Sequence, residues 1–179
     1  FKIREKDGSI SEMKYPKLLN IVNALGTALC SLGLKAKHIA IMGKNSHKWC
    51  ISYFGITNGT GVVVPVDKEL MAEDVLNILT VSEAKAMFVD DKSYEKLQEI
   101  KDRLPQDFTF IGLDEIEGLK NIDELIKLGE ELLEKGDRTF LDAEVDSDGL
   151  GSLLFTSGTT GMTKGVMLSN DNICSDISA

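Results

Sequence analysis

Five consecutive apolar residues, Val62-Val63-Val64-Pro65-Val66, follow a glycine series at Gly55, Gly59 and Gly61. A strand with one wet face alternates apolar and polar residues, so a run without alternation must be covered on both faces. Strands of that kind belong to sheets sandwiched between helices. The surrounding sequence supplies the helices. Leu18, Ile21, Val22, Leu25, Ala28, Leu29 and Leu32 recur at three- and four-residue steps, which predicts a helix opened by Pro16 and closed at Gly33.

The rhythm continues along the chain. His38 to Met42 reads as a strand, and Asn45 or Ser46 caps a helix whose Trp49, Tyr53 and Phe54 are assigned to the core. Leu70 to Ser82 is helical, with Val75, Leu76 and Leu79 inward. Ala86 to Val89 is a strand ending at an Asp90-Asp91 turn. Tyr94 to Leu104 is helical, Phe108 to Leu113 a strand, and Ile122 to Leu133 a helix with charged outer positions. Gly136 to Gly149 is a polar, acidic connection. Leu153-Leu154-Phe155 is a last buried strand, Gly165 to Leu168 a short one, and Ser169 caps a final helix. Ser9 to Met13 fits a short edge strand. Strand and helix alternate at least four times, which predicts an α/β fold with a largely parallel sheet, because parallel strands need crossover helices.

An apolar fraction of 42% over 179 residues supports a buried core. The formal net charge of −9 argues against a nucleic-acid partner, which calls for clustered Lys and Arg. Cys30, Cys50 and Cys174 have no spacing that suggests zinc or a disulfide frame, and His38 and His47 have no second ligand at metal spacing. No stretch has the apolar length of a membrane span. Asp90-Asp91 reads as a turn rather than a catalytic carboxylate pair, and the sign-alternating stretch Glu115 to Glu134 as a solvated helix face.

The chemistry is concentrated in Thr156-Ser157-Gly158-Thr159-Thr160-Gly161-Met162-Thr163-Lys164-Gly165. Three glycines let the backbone turn its N–H groups inward as an anion nest. Hydroxyls add donors and one can meet Mg²⁺, while Lys164 adds a point charge. The spacing is not that of the Walker A loop, G-x-x-x-x-G-K-[ST]: counted from Gly158, the second glycine position holds Thr163. Threonine is a poor residue for a plain turn, so four of them beside a lysine point to phosphate.

Phe155 to Val166 resembles the signature loop of the adenylate-forming superfamily, which includes acyl-CoA synthetases, firefly luciferases and peptide-synthetase adenylation domains. Ile39 to Ser46 resembles that family's first strand and "N-S" turn, Gly61 to Asp67 its "G-A-V-x-x-P-L-D" strand, and Gly165 to Ser169 its "G-V-x-L-S-H" tail. The likeness covers nearly the whole chain, with the loop as its specific part. Two positions depart from the pattern: Thr163 stands where the family has Pro, and Asn170 where it often has His.

The resemblance implies a fold, the N-terminal subdomain of an acyl-CoA synthetase-like protein, closest to the long-chain fatty acyl-CoA ligases. It implies that residues 1–179 are a fragment of the large N-terminal AMP-binding domain. Family members run about three times this length, so the rest of that domain and the C-terminal lid lie outside the chain. The implied activity is ATP-dependent activation of a carboxylic acid and transfer to coenzyme A, with loading of a carrier protein by an amino-acid or aryl-acid adenylation domain as the alternative. A non-catalytic nucleotide-binding module is the alternative from another class. By the same resemblance Thr156, Ser157, Gly158, Thr159, Thr160, Gly161 and Lys164 hold ATP, Lys164 stabilises phosphate charge, and Thr156 takes Mg²⁺. The fragment alone is expected to be inactive and prone to self-association. A cytoplasmic or membrane-peripheral setting is the matching expectation.

Overall fold

In a computed structural model that describes residues 1–4, 7–156 and 164–178, strands and helices alternate as the pattern requires. After a small antiparallel hairpin, β1 (Lys2–Arg4) with β2 (Ile10–Glu12), the chain runs α1 (Tyr15–Ser31), β3 (Lys37–Met42), α2 (His47–Thr57), β4 (Gly61–Val66), α3 (Ala72–Val81) and β5 (Ala86–Val89). It continues with α4 (Asp91–Leu97), a 3-10 turn (Gln98–Arg103), β6 (Thr109–Gly112), α5 (Ile122–Glu134), β7 (Leu150–Thr156), β8 (Lys164–Ser169) and α6 (Asn170–Ser178). The main sheet has the order β6-β5-β3-β4-β7-β8. Every pairing in it is parallel except the last, β7 with β8.

Two cores flank this sheet, and β3 shows why its sequence carries no polar alternation. Successive side chains of a strand point to opposite faces. Ile39 and Ile41 join one core with Leu25 and Leu29 of α1, Ile56 of α2 and Leu125 of α5. Ala40 and Met42 join the other, with Val75 and Leu79 of α3, Leu97 of α4 and Ile100 of the 3-10 turn. All four β3 residues are fully buried.

The helix ends follow local chemistry. Pro16 stands in the first turn of α1, where its missing N–H costs nothing, and Gly33 takes φ +78° just past the end. Ser46 caps α2 by accepting from the Trp49 N–H, and Asn121 with Glu124 forms a reciprocal capping box on α5. The α1–α5 crossing is very close: a Cβ at Gly129 would lie 1.8 Å from the Ala24 carbonyl oxygen. The connection from α5 to β7 is mostly exposed, but Phe140 dips back into the core and lays its ring over Gly26.

Three expectations need correction. Phe54 is not core: Trp49 and Tyr53 stack with centroids 5.6 Å apart, but Phe54 lies one residue further round the helix and is 37% exposed. Asp90-Asp91 is not a free turn; Asp90 accepts from the Ser93 N–H as the cap of α4, which begins at Asp91 rather than Tyr94 and passes into the 3-10 turn. Leu153, Leu154 and Phe155 are half-buried rather than fully buried, because β8, beside β7, is the sheet's exposed edge.

Candidate functional site

The parallel strands all end on one side, at Met42, Val66, Val89, Gly112 and Thr156. From β3 the chain leaves toward α2 on one face, and from β5 toward α4 on the other. Adjacent strands whose connections diverge in this way open a crevice beyond their carboxyl ends, where ligands of α/β sheets bind.

Asp90 sits at the floor of that crevice. Its Oδ2 accepts from the Lys44 N–H at 2.9 Å and its Oδ1 from the Ser93 N–H at 2.9 Å. It therefore ties the β3–α2 loop to the start of α4. Burial pushes the Asp90 carboxyl up, and the hydrogen bonds from Ser93 and Lys44 outweigh it, leaving the group below the ordinary aspartate range. Gly43 makes the approach possible, since a Cβ there would stand 3.0 Å from Leu113 Cδ1 and 3.3 Å from Asp90 Cβ. Nearby, Lys48 Nζ lies 2.6 Å from Asp123 Oδ2 and Lys44 Nζ 3.7 Å from Asp114 Oδ2. The ion pairs are partly exposed and hold the crevice rim rather than the fold.

The glycine- and threonine-rich segment begins at Thr156, on that same edge. It joins β7 to β8, and the structure shows its neck. Thr156, the last residue of β7, is the cross-strand partner of Lys164, the first of β8. Directly opposed residues of an antiparallel pair project on the same face. A hydroxyl and an ammonium, both exposed, thus stand side by side where the chain enters and leaves the loop. That donor set suits a polyanion, and the Thr156 oxygen is also a hard ligand of the kind Mg²⁺ takes. Ser157, Gly158, Thr159, Thr160 and Gly161, together with Met162 and Thr163, lie outside the described residues. Leu153 and Phe155 pack against the α3 side of the sheet and hold β7 in place below the neck.

Other sequence candidates go elsewhere. The His38 ring bonds to the Ser82 carbonyl oxygen at the amino end of the sheet, away from the crevice. Ser46 is a helix cap, and Asn45 lies with it and Lys48 in the cleft that β1 shares with the β3–α2 loop. Among the described residues, no three His, Cys, Asp or Glu side chains are placed to hold a metal ion. No described helix is long and apolar enough to cross a membrane. The role of Asp90 escapes sequence reading because Asp is equally favoured at a turn and at a cap.

A family model described as AMP-binding enzyme matches residues 5–179. The long-chain-fatty-acid–CoA ligase ACSBG1 of Rattus norvegicus is 33% identical over 97% of this chain and 24% of its own length. Long-chain-fatty-acid–CoA ligase 1 of Homo sapiens is 29% identical over 98% of this chain and 27% of its own. The 3-methylmercaptopropionyl-CoA ligase of Ruegeria lacuscaerulensis is 27% identical over 93% and 31%. The chain thus spans about a quarter of the ligases it matches (24% in the first case), a smaller share than the threefold expectation. Among solved structures, the A-PCP didomain of carboxylic acid reductase from Segniliparus rugosus in complex with AMP has a TM-score of 0.79 at 17% identity, covering 97% of this chain and 29% of that one. A long-chain-fatty-acid–CoA ligase from Archaeoglobus fulgidus has a TM-score of 0.77 at 18% identity, covering 97% and 34%. At these identities the structures establish the fold: an α/β unit with a mostly parallel six-stranded sheet, as in the N-terminal part of adenylate-forming enzymes.

Proposed function

The chain belongs to the AMP-binding enzyme family, and we propose that the whole protein activates a fatty acid with ATP and transfers it to coenzyme A. A carboxylate oxygen attacks the α-phosphorus, and the bond from that phosphorus to the bridging oxygen breaks. Pyrophosphate leaves and an acyl-adenylate remains. The thiol of coenzyme A then attacks the acyl carbon, loses its proton and expels AMP.

The observation that carries this reading is the opposition of Thr156 and Lys164 at the neck of the loop. Negative charge grows on the departing pyrophosphate, and Lys164 would meet it. A fixed donor aimed at charge that develops in the transition state lowers the barrier, typically by about 10²- to 10³-fold in rate. Thr156 would hold Mg²⁺, which neutralises phosphate oxygens when bound. Ser157 to Gly161 would line the phosphates with backbone N–H groups. The preference for a fatty acid is supported by the two mammalian ligases, at 33% and 29% identity.

Acid-dependent exchange of pyrophosphate into ATP, run on the full-length protein across fatty, aryl and amino acids, tests the proposal. Exchange driven by a fatty acid is expected. Exchange driven only by an amino or aryl acid would shift the reading to an adenylation domain that loads a carrier. Absence of exchange with every acid would favour a nucleotide-binding module without this activity.

A further inference from the structure

Asn170 has no part in the reaction above, yet its side chain joins two stretches of chain that flank the hairpin of β7 and β8. Its Nδ2 donates to the Asp146 carbonyl at 2.9 Å and lies 3.4 Å from the Gly149 carbonyl. The backbone follows the same path: the Asn170 N–H donates to Gly149 O at 3.0 Å and the Asp171 N–H to Ser147 O at 2.8 Å. The start of α6 is thereby fastened to the turn before β7. The remaining amide oxygen, Oδ1, rests on the backbone of Gly151, where a Cβ would lie only 2.3 Å from it.

The hairpin is irregular at this place. Leu150 pairs with Ser169, but Ser152 pairs with Leu168, so Gly151 is an extra residue on β7. A bulge of this kind offsets every pair beyond it, and a one-residue slip turns each side chain to the opposite face. Here the offset runs through Leu154↔Val166 to Thr156↔Lys164. Without the extra residue Gly151 would face Leu168, and counting onward Phe155 would face Lys164. A phenyl ring would replace the hydroxyl beside the ammonium.

We propose that Asn170 and Gly151 form a register clasp, and that Asn170 is a positioning residue for the nucleotide grip: it holds the bulge that sets Thr156 opposite Lys164. The functional half of this proposal rests on the reading of the loop as a phosphate grip. The clasp needs glycine at 151, because any Cβ displaces the Asn170 amide. It needs an amide at 170, because the same group must donate to carbonyls on one side and lie flat on Gly151 on the other.

The test uses the full-length protein with Asn170→Asp, Asn170→Ala, Gly151→Ala and the double variant Gly151→Ala/Asn170→Ala. Asn170→Asp keeps the shape and removes the donors. Each single variant is expected to raise the KM for ATP in pyrophosphate exchange by about tenfold, the scale of one lost hydrogen bond, with the KM for the acid unchanged. The double variant is expected to match Asn170→Ala, because the first atoms a Cβ at 151 meets are Oδ1 and Cγ of Asn170. Register is read separately by oxidative crosslinking of two cysteine pairs, with the exposed Cys174 changed to serine. Leu154→Cys/Val166→Cys is expected to crosslink with Asn170 present, and Leu154→Cys/Gly165→Cys to gain at its expense in the Asn170→Asp background. Lower kcat and melting temperature with both KM values and the crosslink pattern unchanged would overturn the clasp. Absence of exchange in the unaltered protein would overturn the nucleotide reading instead, and the crosslink pattern would still decide the register.

Discussion

The sharpest structural prediction concerns a pair far apart in sequence, Gly26 and Phe140. A Cβ built on Gly26 would stand 2.1 Å from Cε2, 2.3 Å from Cδ2 and 2.5 Å from Cζ of the Phe140 ring. Carbon atoms in contact need about 3.5–4.0 Å, so the ring must retreat by about 1.4–1.9 Å. It is 4% exposed and packed in the core that α1, α2 and α5 share, so it retreats only by displacing its neighbours. Gly26→Ala should therefore destabilise by about 1–3 kcal/mol, the usual cost of overpacking. Phe140→Ala empties the same place and should cost about 3–5 kcal/mol. With the ring gone, the sign at 26 reverses: Ala in the interior of a helix is worth about 0.5–1 kcal/mol over Gly. The coupling between the two substitutions is then about 1.5–4 kcal/mol. Melting temperatures of the full-length protein and its three variants measure it. A kilocalorie shifts the melting temperature by about 2–4 °C in a cooperative unit of about 150–250 residues and by less in a larger one. If Gly26→Ala is harmless with Phe140 present, or equally harmful without it, the ring does not lie where the packing places it.

Three further outcomes are expected. Gly129→Ala drives a Cβ to 1.8 Å from the Ala24 carbonyl oxygen and 2.4 Å from its carbon, both backbone atoms, so it should lower the melting temperature at least as much as Gly26→Ala; a neutral result would refute the close α1–α5 crossing. Lys164→Ala should cut acid-dependent pyrophosphate exchange by about 10²- to 10³-fold while leaving the melting temperature unchanged, and a drop under about threefold would remove the lysine from the site. Asp90 titrates below its unfolded value, so its stabilising effect is present above the ordinary aspartate range and is lost as pH falls through the depressed value. Urea midpoints followed between about pH 6 and pH 3 should therefore fall less steeply in Asp90→Asn, which keeps an oxygen to cap α4 and removes the titrating carboxylate; parallel curves would contradict the assignment.

The fold is legible because burial on two faces leaves a plain mark. A strand such as β3 must be apolar from Ile39 to Met42 when Ile39 and Ile41 serve one core and Ala40 and Met42 the other. Flanking helices reveal themselves by their three- and four-residue steps. The loop stands out in the sequence because few structural needs gather four threonines, three glycines and a lysine. Other features leave no such mark. Phe54 follows Tyr53 in a helix where neither period nor composition says which side the core lies on, and it proves to be 37% exposed. Phe140 is a lone aromatic residue in a polar connection, and its partner Gly26 is more than a hundred residues away. The antiparallel turn of β8 along β7, and the bulge at Gly151, depend on pairing across the loop, which hydrophobic pattern does not encode. Asn170 stands out in sequence only as a departure from the family's His.

The central claim is that the acid's own oxygen attacks the α-phosphorus of ATP, with the Thr156–Lys164 neck holding the phosphates that leave. Oxygen labelling reads this directly. The full-length protein, supplied with a fatty acid carrying ¹⁸O in its carboxylate, ATP and coenzyme A, should yield AMP bearing one labelled oxygen, together with unlabelled pyrophosphate and the acyl-CoA thioester. Label appearing in inorganic phosphate, with ADP as the nucleotide product, would mean attack at the γ-phosphorus and would contradict the account.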